Sequence, residues 1–495
     1  MKYISTRNTC AAEGVSAAVA IKQGLAGDGG LFMPTEIPQL DRAKLSALIE
    51  KDYPTRAAEI LSMFLTDYTK EELYADCVAA YGEDRFPGGA APVVSVDGRI
   101  YALELWHGPT CAFKDMALQI MPRLLCRALK KTDEKRTALI LVATSGDTGK
   151  AALEGYKDVD QIKIKVFYPL DGVSRVQKLQ MATQTGENVS VSAIHGNFDD
   201  AQTGVKKIFS DAQIADELNR HNVFLSSAKS INWGRLAPQI VYYVSAYCDL
   251  VKDGQIVLGD EIDVCVPTGN FGNIFAAYLA KHMGLPIGKL ICASNSNNVL
   301  TEFLESGTYD RKRKFFTTMS PSMDILISSN LERLLYLICG AKQTAAYMKS
   351  LNTDGKYTLS PEEKSKIDND FIGFCCDEKT TAKTIHDLYT KDHYLCDTHT
   401  AVAMHAAHEY VAAAKTENKI LVASTASPYK FANDVYTALT NTSASNELSA
   451  LQELAAFSGT EIPAPLRGIE KRNVRFKDSL TPADMPADVL SFAKE

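Results

Sequence analysis

The spacing of apolar and polar positions changes character near residue 95 of this 495-residue chain. Before that point, apolar residues recur every three or four positions over 40–51, 55–65 and 71–81, the period of amphipathic helices. A turn at 26–34, Ala-Gly-Asp-Gly-Gly-Leu-Phe-Met-Pro, interrupts this pattern, as clustered Gly and Pro do. A second Gly- and Pro-rich stretch at 86–92 reads as a linker. Beyond it, short apolar runs at 99–105, 138–143, 162–167, 188–194, 223–225, 262–266, 290–293 and 419–423 alternate with helical patterns such as 116–125, 200–215 and 272–283. That alternation predicts an α/β fold with mostly parallel, twisted sheets covered by helices on both faces. In such folds ligands bind at loops beyond the strand C-termini. From about residue 441 the pattern becomes helices and a polar extension.

Composition narrows the class. The chain is 46% hydrophobic and 23% charged, ordinary for a globular protein, and its length suggests roughly three domains. A net charge of -7 implies no basic nucleic-acid face. Eleven cysteines without a regular framework fit free thiols in a reducing compartment better than disulfides. The first residues carry no apolar leader, and no apolar run approaches the roughly 20 residues that span a bilayer. A cytoplasmic protein without a membrane partner is expected.

One string carries the most chemistry. His107, Gly108, Pro109 and Thr110, then Phe113, Lys114 and Asp115, read H-G-P-T-C-A-F-K-D and join a strand-like run to a helix-like one. Most lysines are solvated surface charges. A lysine at a helix start sits in a positive field, which helps lower the pKa of an amine used as a nucleophile.

Three further strand-to-helix loops stand out, two of them suited to anions. Thr144, Ser145, Gly146, Asp147, Thr148 and Gly149 follow the run at 138–143; backbone amides and hydroxyls there suit an anion, or Asp147 or Thr148 is a plain helix cap. Pro267 to Asn273 (P-T-G-N-F-G-N) follows the run at 262–266 and suits a phosphate, without the spacing of a P-loop or a dinucleotide fingerprint. Ser424 to Phe431 (S-T-A-S-P-Y-K-F) follows the last run and also reads as a capped helix start. His399, His405 and His408 lack metal-ligand spacing and read as satisfied helix histidines, so no metal site is expected. Arg311 to Lys314 reads as a solvated loop.

The lysine string and the three loops, taken in order, resemble threonine synthases, pyridoxal-phosphate (PLP) enzymes of fold type II. So do Ser230 to Arg235 (S-I-N-W-G-R), Ser320 to Ile325 (S-P-S-M-D-I), Ser329 to Arg333 (S-N-L-E-R) and Asp397 to Val402 (D-T-H-T-A-V). The resemblance implies two three-layer α/β domains plus a mainly helical N-terminal domain over 1–95. The larger, cofactor-binding domain would span 96–120 and 259–495, with a C-terminal extension; the smaller would span 121–258. It implies that Lys114 holds PLP as a Schiff base and shuttles protons, beside Phe113. Gly269, Asn270, Phe271, Gly272 and Asn273 would hold the cofactor phosphate, with Thr425 at the ring nitrogen. Thr144, Ser145, Gly146, Asp147 and Thr148 would take the substrate carboxylate, and Asn232 and Arg235 would line the substrate; Arg235 fits a substrate phosphate or a structural ion pair. The implied reaction turns O-phospho-L-homoserine and water into L-threonine and phosphate, in a monomer or homodimer. Ser427 stands where the family pattern has His. A related PLP lyase, a binding protein of this lineage without catalysis, and an unrelated nucleotide-binding protein are the alternatives.

Overall fold

A computed structural model describes residues 1–8, 13–144, 146–170, 173–414 and 416–495. Two parallel sheets organise the chain. The larger has the order Phe371–Cys375, Ile287–Ser294, Ile262–Pro267, Lys419–Ser424, Ile100–Glu104, Val93–Ser95. All its pairings are parallel except that of the edge strand Val93–Ser95. The smaller sheet has the order Ser479–Leu480, Val189–Ile194, Ile162–Pro169, Thr137–Ala143, Val223–Ser226, parallel throughout. Each apolar run of the sequence is a strand in one of them. The central ones, such as Ile262–Pro267, are buried along their whole length, as parallel strands covered on both faces must be.

Two expected helices are broken. The 116–125 pattern divides into Asp115–Leu118 and Met121–Lys131, because Pro122 has no N–H to continue the first helix and sits at the start of the second. The 200–215 pattern divides at Asp211, whose extended backbone ends Phe198–Ser210. Its side chain accepts hydrogen bonds from Gln213 N and Ile214 N and caps Ala212–Arg220.

The N-terminal residues do not stand apart. Helices Tyr53–Phe64 and Lys70–Tyr81 pair, and the strand Tyr3–Ser5 pairs antiparallel with Phe32–Pro34. Tyr3 is fully buried, its hydroxyl on Phe64 O and its ring 5.4 Å from Trp233. Trp233 opens the helix Trp233–Lys252, which is buried along nearly all its length and returns the chain from the smaller sheet to the larger. Its neighbours include Tyr53–Phe64 and Gly272–His282, so the N-terminal helices wall the same core that carries the candidate phosphate loop.

The last residues depart from the expected extension of the larger domain. Ser479–Leu480 adds a strand to the smaller sheet, and Met485–Lys494 packs beside helices Phe198–Ser210 and Ala212–Arg220 of that sheet. A stretch that reads as a polar extension buries Met485, Val489, Phe492 and Ala493 against this sheet and its helices, and an ion pair adds to that apolar contact. Lys165, on the middle strand, is nearly fully buried and reaches Asp488 at 2.6 Å and Ser190 Oγ at 2.9 Å. Met485 packs against Gly204 of the first of those helices.

Removing Asp488 leaves Lys165 buried with one neutral acceptor, so Asp488→Ala should cost about 2 kcal/mol. Urea unfolding measures it; an unchanged midpoint would show that the pair does not hold the C-terminus.

Candidate active site

The lysine string folds around Asp115. This carboxylate turns back to accept hydrogen bonds from Thr110 N at 2.8 Å and Thr110 Oγ1 at 2.7 Å. It lies over Gly108, where a Cβ would come within 2.6 Å of Asp115 Oδ2, so glycine is needed for close approach. Cys111 takes a positive φ of 60°. Phe113 N then bonds Thr425 O at 2.8 Å, and Ala112 bridges Ala426. The lysine loop is thus stitched to the loop after Lys419–Ser424.

Lys114 is buried, and its Nζ faces two elements. Nζ donates to Ser322 Oγ at 3.2 Å and lies 3.4 Å from Asp147 Oδ2. Burial lowers its pKa, Asp147 opposes this, and the nearby Arg235 and Lys430 cations lower it further. Ser322 is held from behind: its N–H donates to His399 Nε2 at 3.1 Å, while His399 Nδ1 lies 2.7 Å from Asp397 Oδ2. With Nε2 accepting, the ring proton is on Nδ1 and is donated to Asp397. His399 is therefore a satisfied positioning group, as its spacing predicts.

The Asp147 side chain is not a helix cap. The helix Asp147–Tyr156 has Gly146 at its N-cap, with no side-chain cap. Thr144 Oγ1 instead accepts from Gly146 N at 3.0 Å and Gly149 N at 2.9 Å. Asp147 turns inward, its Oδ1 receiving Lys430 Nζ at 2.9 Å and Gln177 Nε2 at 2.9 Å. Burial alone would raise its pKa; the Lys430 and Lys114 ammoniums overcome this and hold the carboxyl well below its usual range. Thr148 is half-buried in the first helical turn, where amides lack an intrahelical acceptor. Ser145 lies outside the described residues.

The 267–273 loop opens Gly272–His282. Phe271 adopts a left-handed conformation, φ 61°, costly for a bulky residue and characteristic of sites that hold a ligand. Gly269 passes so close to the Ser320–Met323 segment that a Cβ would lie 2.7 Å from Ser322 O. Asn270 O accepts from Asn330 N at 3.1 Å and Nδ2 at 2.9 Å. Asn273 Oδ1 accepts from the hydroxyls of Tyr242, at 2.8 Å, and Tyr243. This fixes the amide, and its Nδ2 is buried with no partner among the described residues.

The two further expected substrate residues, Asn232 and Arg235, differ in what they leave free for a ligand. Asn232 is fully buried and caps Trp233–Lys252 through Gly234 N at 2.9 Å, while its Nδ2 donates to Ile21 O and Ser227 O. Its capacity is spent on the fold. Arg235 is buried, with one bond from NH1 to Ala228 O at 2.9 Å and its Nε buried without a partner among the described residues. Burial lowers its pKa to about 10, and it pairs with no carboxylate among those residues, which removes the structural ion pair. Thr425 is buried, and its hydroxyl makes no hydrogen bond among the described residues. Lys430 and Ser322 were legible only as parts of strings, and Gln177 and Gln180 not at all, because their roles come from elements far apart in the chain.

Comparison with known proteins places this geometry. The family model described as "Pyridoxal-phosphate dependent enzyme" matches residues 89–426, which makes the chain a member of that class. Those described as "Threonine synthase N terminus" and "Threonine synthase, C-terminal" match 2–81 and 400–485. The threonine synthase of Schizosaccharomyces pombe is 35% identical over 89% of this chain and 90% of its own length. The PLP-bound threonine synthase of Brucella melitensis superposes with a TM-score of 0.88 at 36% identity, covering 100% of both chains, and the yeast enzyme with 0.89 at 32%, covering 99% and 98%. The chain belongs to the threonine synthase family, of PLP fold type II. Human "Threonine synthase-like 1" is 41% identical over 85% of this chain, which spans only 57% of that longer protein.

The residues present fit the family's cofactor. An orphaned, buried amide donor at Asn273, the helix start behind it and a Cβ-free approach at Gly269 suit a phosphate, and Lys114 supplies a desolvated amine.

Burial holds the Asp115 proton up to about 7, against roughly 4 in an unfolded chain. Between those values the folded state binds the extra proton, so this contribution is fully present below about pH 4 and is lost as the pH rises through 7. The melting-temperature advantage of wild type over Asp115→Asn should therefore shrink from about pH 5 to pH 8. An advantage that grows with pH would contradict the burial of that carboxyl.

Proposed function

We propose that this chain is a threonine synthase acting on O-phospho-L-homoserine and water to give L-threonine and phosphate. The observation that carries the reading is the buried Lys114 amine with the phosphate-suited loop at Gly269–Asn273 and the open Thr425 hydroxyl around it. When bound, PLP supplies the electron sink for the carbanions of the reaction. Lys114 and Phe113 carry the cofactor's reactive end, Gly269, Asn270, Phe271, Gly272 and Asn273 hold its phosphate, and Thr425 offers a neutral hydroxyl to its ring nitrogen. Lys114 Nζ takes the proton from the substrate Cα and later from Cβ, and its lowered pKa favours the free base this needs. The first-turn amides of Asp147 and Thr148 orient the substrate carboxylate, with Thr144 bracing the loop. Arg235, whose Nε has no acceptor, is the nearest candidate for the leaving phosphate. Burial of Lys114 excludes water during proton transfer.

The 41% identity to "Threonine synthase-like 1", a name that states no reaction, gives one second reading weight: a PLP lyase that releases phosphate without adding water at Cβ. Product analysis with O-phosphohomoserine separates the two, threonine and phosphate appearing in equal amounts for the synthase, and a 2-oxo acid with ammonia for the lyase. Lys114→Ala should lose the visible absorbance of lysine-bound cofactor and all turnover. Thr425→Ala should shift that absorbance or weaken cofactor retention; an unchanged spectrum and rate would remove Thr425 from the site.

A further inference from the structure

Lys430 is a second lysine buried in this site, and neither the sequence nor the reaction gives it a task. Its side chain is 0% exposed, and its ammonium has three close oxygens: Asp147 Oδ1, an ion pair at 2.9 Å, and the hydrogen-bond acceptors Gln180 Oε1 at 2.7 Å and Thr110 O at 3.2 Å. These belong to three different elements. Asp147 opens a helix of the smaller sheet, Gln180 lies on the helix Arg175–Ala182 that follows another strand of that sheet, and Thr110 lies in the lysine string itself. Lys430 comes from the turn after Lys419–Ser424 of the larger sheet. An ammonium that is fully buried, ion-paired and engaged in two hydrogen bonds is committed to the fold, so Lys430 is not a spare anion-binding cation.

The shared carboxylate is the telling feature. Lys430 and Gln177 occupy Asp147 Oδ1 at 2.9 Å each, while Lys114 has only a longer approach, 3.4 Å, to Oδ2. A lone buried lysine beside an aspartate would form a tight pair and keep its proton. Here the aspartate is already drawn to the other side. We propose that Lys430 is a positioning residue for the cofactor lysine: by holding Asp147 from the side opposite Lys114, it limits how far that carboxylate can claim the Lys114 ammonium. It also neutralises Asp147, so that a substrate carboxylate can approach the first turn of the same helix without meeting an uncompensated negative charge.

The charged neighbours of Lys114 are few. Asp147 favours its proton, Lys430 and Arg235 oppose it, and Ser322 Oγ is a neutral acceptor. Asp115 is turned to Thr110, the nearby Cys111 thiol is pushed up to about 12 by burial and is neutral, and Lys150 is paired with Glu154 at 3.0 Å. The two partners in the Lys430–Asp147 pair therefore act on Lys114 with opposite sign. A pair that merely held the two sheets together would give the same sign whichever partner was removed.

The inference rests on Lys114 being the cofactor lysine, and the test separates the two. Cofactor uptake requires the neutral amine, which adds to the PLP aldehyde with loss of water. The rate of PLP uptake by the cofactor-stripped full chain is measured against pH by the rise of visible absorbance. Relative to wild type, Lys430→Met should move the midpoint to higher pH by about one unit, about tenfold slower uptake on the acid side. Asp147→Asn should move it to lower pH, and Lys430→Arg, which keeps the charge, should restore the wild-type midpoint. Shifts in the same direction for both partners, or no shift in either, overturn the proposal. If Lys430→Met does not fold, Asp147→Asn carries the test, and a midpoint that stays put or moves alkaline overturns it. Covalent uptake by Lys114→Ala would overturn the cofactor-lysine reading and this one with it. Absence of uptake in that variant, with unmoved midpoints in the others, overturns the role of Lys430 alone.

Discussion

Burying a lysine amine is the constraint on which the rest of this molecule depends. An unpaired ammonium in a dry interior is expensive, and a tightly paired one keeps its proton. The fold meets both demands with one carboxylate shared between two lysines. Asp147 stands 3.4 Å from Lys114 and 2.9 Å from Lys430. That arrangement exists only where the two sheets meet, because Asp147 follows a strand of the smaller and Lys430 a strand of the larger. The glutamines of Arg175–Ala182 complete it from a third element.

A second set of buried contacts ties the N-terminal residues to the phosphate-suited loop. Arg333 is fully buried and donates to Phe32 O, to Ile231 O and to Asn330 Oδ1. Asn330 in turn holds Asn270 O. Burial lowers the Arg333 pKa to about 9, and three carbonyl-type acceptors satisfy its charge in place of a carboxylate. Close by, Arg7 forms a bidentate pair with Glu332 at 2.7 and 2.6 Å. The Gly-rich turn at 26–34 and the S-N-L-E-R string, 300 residues apart in the chain, are thus one structural unit, and both serve the loop at 267–273.

Much of this was legible in the sequence, for definite reasons. Strand and helix alternation, with apolar runs such as 138–143 and 262–266, carries the two-sheet architecture, because buried parallel strands leave a continuous apolar record. The string H-G-P-T-C-A-F-K-D marks Lys114, since Gly108 and Asp115 are required by the close packing of the loop. Contacts made by polar residues over long separations were not legible. Phe371–Cys375 is short and follows a charged helix, so it leaves little signal as a strand. The C-terminal helix docks through Met485, Val489 and Phe492 together with the Lys165–Asp488 pair, in a stretch that reads as a polar extension. Asn232 looks like a binding residue and is a helix cap, while Lys430 looks like a helix-start lysine and is a buried junction. In each case the deciding fact is which atoms come within hydrogen-bonding distance, and spacing along one element does not record that.

The central claim is that Lys114 is the residue joined to the cofactor. Borohydride reduction of the PLP-loaded protein, followed by digestion and mass spectrometry of the labelled peptide, tests it most directly. The account predicts a single pyridoxyl group on Lys114, in the peptide that contains Phe113 and Asp115. A label on Lys430, Lys150 or any other lysine, or no label after loading, would contradict it.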